Sequence, residues 1–369
     1  MIIFATVTLL GCTSSEKPDT AEFVFTGPNA EMFQTVKDLA DRTEMYNAGE
    51  WQEHFGDGAL FGPSFDLTYA DMGGEDRHYH RGIEALDFNR EFVAEVSDNL
   101  LAHNDELEIV AMSLLSLTRA GSLLGGDDEY VTAVEPLLSN IDNLSAAMGD
   151  YFNLSAGEFA VTSYGPTAVS ALMVMTQIEQ AASYPEANPE YHLERAEEML
   201  MNIHAIAWSD ELGAYRFAPE DDRLMLYPNI TMMTAWARLY ELTNDPLHIE
   251  TFYDIYQGIQ PLKDEDGDHY HSPYSYESMG ATDKDYSTLS SQNYLMLGLL
   301  SAHQATGDTQ LLAEVDLILS FIEDNLMEDG LITHHWIDGR AASHDDPWYF
   351  CMGCNLQTLY ILLVRNALQ

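Results

Sequence analysis

The chain repeats itself at about 63 residues, and few folds accommodate a repeat of that length. LYELTNDPLHIETFYDIYQGI (239–259) overlays AHQATGDTQLLAEVDLILSFI (302–322) with its apolar positions in register. Ile249 falls on Leu312, Phe252 on Val315, Ile255 on Ile318 and Ile259 on Ile322. That spacing marks one face of a helix. Both stretches then reach an acidic turn, Asp266-Gly267 and Asp329-Gly330, and each places a histidine four residues after the glycine (His271, His334). A third unit carries Leu193, Ala196, Met199 and Ile203 in the same register, followed by DELGAYRF.

Each unit has one order of parts. A helix that is apolar nearly all round comes first (167–181, 231–242, 291–305), then a tight turn (TND, TGD, GGDD), then an amphipathic helix with a charged face, then a long polar and aromatic segment. A helix apolar on every side belongs inside a protein, and one with a polar face belongs outside. Helices are expected over 31–48, 84–102, 105–122, 128–148, 164–182, 188–206, 227–243, 247–260, 288–305, 309–324 and 351–367, with only short hairpin-like pieces such as AYRF and LITHHW between them. The pattern is all-α. It resembles the six-hairpin α/α toroids of the glycosidase-like superfamily, which includes N-acylglucosamine 2-epimerases and several glycoside hydrolase families. The resemblance rests on helix order and spacing over nearly the whole of residues 29–369, and implies a carbohydrate-active enzyme. An open helical solenoid is the rival arrangement, and it would have no shared central cleft.

The N-terminal MIIFATVTLLGC resembles a lipoprotein signal, which implies a signal peptide over 1–11, lipidation of Cys12, a flexible linker over 12–28, and an exported, membrane-anchored protein. No Lys or Arg precedes the apolar run, and Leu10 stands where a smaller residue is usual. With 15 Lys+Arg against 61 Asp+Glu, the net charge of −46 repels nucleic acid and excludes it as a partner.

In a toroid the long segments 149–163, 207–226, 261–287 and 325–350, joined by 49–83, gather at one end. They hold most of the histidines and interleave aromatics with carboxylates, as a sugar cleft requires. Glycoside hydrolysis needs two carboxyls, and Asp285 and Asp346 each lie just before an inner helix. The Asp345-Asp346 dipeptide is similar to the adjacent aspartates of six-hairpin mannanases. Epimerisation would use histidines instead, and His271 and His334 hold equivalent repeat positions. Trp336, Trp348, Tyr349, Tyr227, Tyr164, Asn293 and His80 are the expected substrate contacts.

CxxC at Cys351 and Cys354 allows a disulfide, a redox dithiol or, with His344 or the histidines of THHW, zinc. Aligning CNLQTLYILLVRN with QNYLMLGLLSAHQ sets Asn355 opposite Asn293 and puts the cysteines at the start of a buried helix, where a disulfide or packed thiols are expected. No cofactor is required. Asp264, Asp266 and Asp268 alternate as in a calcium loop, but the glycine is misplaced for an EF-hand, so a tight turn is expected. GxSxG, P-loop and GxGxxG motifs are absent. Hydrolase, epimerase, a non-catalytic glycan- or protein-binding lipoprotein and a helical scaffold all remain open.

Overall fold

The structure, a computed structural model, describes residues 23–42, 57–97, 107–124, 130, 133–140, 165–184, 188–272, 274–275, 280–281, 286–346 and 349–368. Its helices are α1 (Ala30–Arg42), α2 (Asp57–Asp71), α3 (Asp76–Ser97), α4 (Leu107–Leu123), α5 (133–140), α6 (Gly165–Ser183), α7 (Pro189–Ala207), α8 (Leu226–Thr243), α9 (Pro246–Gly258), α10 (Leu289–Thr306), α11 (Thr309–Phe321) and α12 (Met352–Ala367).

Packing closes a ring. α2 touches α4, α4 touches α6, α6 touches α8, α8 touches α10, α10 touches α12, and α12 returns to α2. These six are buried on nearly every side, while α1, α3, α7, α9 and α11 bury one face and expose the other. On the outer helices the repeat-matched Phe252, Ile255, Val315 and Ile318 are fully buried, as are Ala196, Met199 and Ile203 of α7. Burial of one such side chain is worth about 1.5–3 kcal/mol, so the shared register fixes how each outer helix seats.

The ends of the helices repeat as faithfully as their faces. Asp245 caps α9 by accepting from Leu247 N at 2.9 Å, and Asp308 caps α11 from Gln310 N at 2.9 Å. Asn244 and Gly307 end α8 and α10 in the left-handed region, at φ 56° and 74°. Inner-to-outer connections are therefore tight turns at one end of the ring. Outer-to-inner connections are long and carry the short strands at the other. Those strands are β1 (Trp208–Ser209), β2 (Ala214–Tyr215), β3 (Tyr274–Ser275), β4 (Gly280–Ala281), β5 (Tyr286–Thr288), β6 (Met327–Glu328), β7 (Leu331–Ile332), β8 (His335–Ile337) and β9 (Arg340–Ala341). All pair antiparallel, and β5, β8 and β9 form a three-stranded sheet.

The main departure from the sequence reading is α2. Residues 57–71 were expected inside a loop spanning 49–83, because Gly58, Gly62 and Pro63 disguise the helix. Pro63 has no N–H for the carbonyl of Ala59, four residues back. Asn89 of α3, itself buried, supplies the donor instead, its Nδ2 lying 2.8 Å from Ala59 O. The helix survives its proline through a side chain 30 residues away in sequence. α3 likewise begins at Asp76, not near 84.

One smaller difference follows. Residues 23–28 were assigned to a linker, yet Phe25 stacks on Phe33 at 4.4 Å and Phe23 sits edge-on to Tyr69 at 5.7 Å. Cys12 and the signal segment 1–11 lie outside the described residues.

Candidate functional site

At the loop end three inner helices, α8, α10 and α12, each grip the segment before them through one amide side chain. Asn229 of α8 accepts from Tyr215 N at 2.7 Å and donates to Tyr215 O at 2.9 Å. Gln292 of α10 does the same to Tyr270, at 3.1 and 2.8 Å. Asn355 of α12 repeats it on Ile332, at 2.9 Å for both bonds. Positions 229, 292 and 355 are spaced by the repeat, so Asn355 pairs with Gln292 and not with Asn293 as the sequence alignment had it. Asn293, expected to contact substrate, is fully buried between helices. Its Nδ2 donates to Cys354 O at 2.9 Å, and its Oδ1 accepts from Thr358 at 3.1 Å.

The third clamp holds the chain two residues before His334. The His334 carbonyl accepts from Leu289 N, the first residue of α10, at 2.7 Å, and its own N–H donates to Tyr349 O at 2.7 Å, just ahead of α12. The His334 backbone therefore bridges the starts of two neighbouring inner helices. The His334 Nδ1 lies 3.4 Å from that of His335, which is fully buried and stacked on Tyr286. Burial, with His335 adding to it, pushes the His334 pKa down to about 3, so the ring is neutral throughout the physiological range.

Below this mouth the ring is floored by aromatics of the inner helices. Tyr227 meets Tyr294 edge-on at 5.2 Å, Tyr294 meets Phe61 at 5.6 Å, and Phe61 meets Tyr360 at 6.1 Å. Deeper, Arg238 donates to both carboxylate oxygens of Glu179 at 3.1 Å, with Arg119 3.7 Å away on the other side. Both arginines hold Glu179 ionised against its burial, which by itself would push the carboxyl up. A cavity of about 20 Å³ lies between the two layers, room for one water. Nothing in the repeat register announced this triad, because its members occupy unmatched positions.

The other expected residues divide. Tyr227 reaches the aromatic floor. Tyr349 is half-buried beside His344, ring centroids 4.5 Å apart, with its carbonyl on His334. Trp336 turns outward instead, edge-on to Phe321 of α11 at 5.6 Å, with His269 stacked on the same phenyl ring at 4.1 Å. His271 is half-buried, its ring 5.3 Å from His269. His80 is exposed on outer helix α3, near its start at the tight-turn end, so the expectation that it joins the cleft is corrected by the earlier start of that helix. His78 and Arg81 of the same helix bind Asp66 of α2 at 2.6 and 2.7 Å and tie the first three helices together with Asp41. Asp285, Trp348 and Tyr164 lie outside the described residues.

Asp346 is engaged elsewhere. Arg340 reaches both its oxygens, at 2.7 and 3.1 Å, and Ser343 donates through N–H and hydroxyl. The Arg340 guanidinium, with the Ser343 bonds, holds the carboxyl well below the usual range. A general acid needs the opposite shift.

Cys351 and Cys354 are paired as a disulfide with Cα atoms 5.4 Å apart. Cys351 is the N-cap of α12, its sulfur accepting from Cys354 N at 3.2 Å. The Asp264 segment is a turn, as expected: its carboxylate collects the N–H groups of Asp266, Gly267 and Asp268, and Gly267 takes φ 77°. Among the described residues, donor sets with ligand atoms within 4.8 Å of one another are His334 with Cys351 and Cys354, Asp41 with Glu75 and His78, Glu197 with Asp245 and His248, and Asp264 with Asp268 and His269. The second is threaded with Lys37, Arg77 and Arg81.

No family model and no curated protein matches the sequence. Solved structures do match. The GH76A α-1,6-mannanase of Salegentibacter sp. HEL1_6 superposes with a TM-score of 0.64 at 12% identity, covering 92% of this chain and 99% of that one. An inactive double-aspartate variant of it in complex with α-1,6-mannotriose gives 0.63 at 10% identity, with the same coverage. A D-mannose isomerase gives 0.60 at 10% identity, covering 94% and 99%. Identity this low speaks to the fold alone. The closed ring of six inner helices and the near-complete coverage make this chain an α/α toroid of six helical hairpins.

Proposed function

We propose that the protein is a carbohydrate-active enzyme of the epimerase or isomerase type, working at the loop end of the toroid by histidine-mediated proton transfer. The observation that carries this reading is His334, held neutral by burial, its backbone bridging the starts of α10 and α12, with a second imidazole 3.4 Å away. A neutral imidazole of lowered pKa polarises a sugar carbonyl by donating its N–H, which suits enediol chemistry. The neighbouring helix N-termini favour the negative charge that develops there. His335, or His271 of the preceding repeat, is the second proton-transfer group. The aromatic floor gives flat faces for a sugar ring.

Two-carboxylate hydrolysis is less well supported, since Asp346 is committed to Arg340. Because the similar structures include a mannanase and a mannose isomerase, mannose and α-1,6-manno-oligosaccharides are the first substrates to try. The test is NMR in D₂O. Deuterium entering the carbon next to the sugar carbonyl, abolished in His334→Gln, is the expected result. New reducing ends without exchange would assign hydrolysis, and saturable binding with neither would assign a binding protein. Export and anchoring through Cys12 belong to the same proposal. They are read by membrane fractionation of the Cys12→Ser variant.

A further inference from the structure

We infer that the reduced form of the Cys351–Cys354 pair, together with His334, is a binding site for a soft divalent cation, zinc by preference, at the mouth of the inner ring. The site does not rest on the carbohydrate reading. Its three donor atoms already lie within 4.8 Å of one another, contributed by the first turn of α12 and the strand segment beside it. Two thiolates and one imidazole on tetrahedral zinc stand about 3.5–3.8 Å apart, so separating the bonded sulfurs is the main adjustment needed.

Helix capping does not account for the cysteines. One repeat earlier, Thr288 and Ser291 hold the same two positions at the start of α10. Thr288 accepts from Ser291 N at 3.2 Å, and their hydroxyls are 2.5 Å apart. Hydroxyls thus suffice to cap an inner helix of this toroid, and α12 carries two sulfurs in their place. A helix N-terminus favours thiolate over thiol. His334 brings an imidazole nitrogen to within 4.8 Å of both sulfurs.

The redox step balances simply. A dithiol reductant transfers two electrons and two protons to the disulfide, leaving two thiols and its own cyclic disulfide. Zinc then displaces both thiol protons, and His334 binds through a nitrogen lone pair without releasing one. Loading would also withdraw His334 from proton transfer.

Cobalt titration tests the site on the full chain. After reduction and removal of the reductant under anaerobic conditions, one Co²⁺ per chain is expected to bind with a thiolate-to-metal charge-transfer band that zinc abolishes. The oxidised chain should show no such band. His334→Gln should weaken binding by about tenfold or more. The double substitution Cys351→Thr with Cys354→Ser, which copies the Thr288–Ser291 cap and so preserves the helix start, should remove the band. Equal cobalt binding by reduced and oxidised chain, no binding by the reduced chain beyond that double variant, or an unchanged affinity in folded His334→Gln would each overturn the inference. None of these readouts depends on catalytic activity.

Discussion

The side-chain amide of Asn355 satisfies both backbone polar groups of Ile332, 23 residues before it. One inner helix thereby fixes the strand segment that carries His334 two residues on. Asn229 and Gln292 perform the same operation on Tyr215 and Tyr270. Only the third clamp, however, sits beneath the histidine pair.

Asn355→Ala leaves the N–H and carbonyl of Ile332 buried without these partners. A cost of about 2–4 kcal/mol is expected, since each buried group left unsatisfied costs roughly 1–3 kcal/mol. Urea denaturation reads the stability. Asn229→Ala should cost a similar amount while leaving any activity or metal binding at His334 intact, which separates positioning from stability.

The pairing of Asn89 with the Ala59 carbonyl makes a second prediction. Asn89→Ala should destabilise the fold by about 1–3 kcal/mol. Pro63→Ala restores an N–H that can bond Ala59 O from within α2, so the double variant should recover part of the loss. A double-mutant cycle by chemical denaturation measures this coupling. Strict additivity would count against it.

His334 and His78 act on stability with opposite signs. The folded pKa of His334, about 3, lies below its unfolded value of 6.5, so the unfolded chain binds more protons between those limits. Its contribution is complete above pH 6.5 and is lost as pH falls toward 3. His78 is raised by Asp41 and Asp66 against its burial. Its contribution is complete below pH 6.5 and is lost as pH rises through the folded value. Stability-against-pH curves of His334→Gln and His78→Gln, each subtracted from the unmodified protein, should therefore slope in opposite directions.

Asp346 offers a sharp check on the carboxylate reading. With its oxygens engaged by Arg340 and Ser343, Asp346→Asn should change turnover by no more than a few-fold. A loss of a hundredfold or more at unchanged folding would return it to the chemistry, since a positioned acid or base contributes roughly 10²–10⁴.

Within the ring, Glu179→Gln removes the bidentate carboxylate from Arg238, which keeps its bond to Glu241. Breaking a buried pair from one side costs about 3–5 kcal/mol. Thermal or urea unfolding reads the loss. Replacing Glu179 and Arg238 together by apolar residues should recover much of it.

Much of this molecule was legible in its sequence. The 63-residue register specified which helix faces are buried, where Asp245 and Asp308 cap, and that the whole is an all-α toroid, because caps and apolar faces are local choices repeated in every unit. α2 stayed hidden because Pro63 and two glycines obey no local helix rule, and its missing bond is supplied by Asn89 from another helix. The site divided the same way. His334 could be singled out by its repeat position, but its neutrality comes from burial. Asp346 looked like a catalytic carboxyl until Arg340 closed on it, Trp336 like a cleft wall until it turned to Phe321, and the Arg119–Glu179–Arg238 triad left no periodic trace. Local periodicity is written along the chain. Convergence of side chains exists only once the ring closes, and that step belongs to the tertiary structure alone.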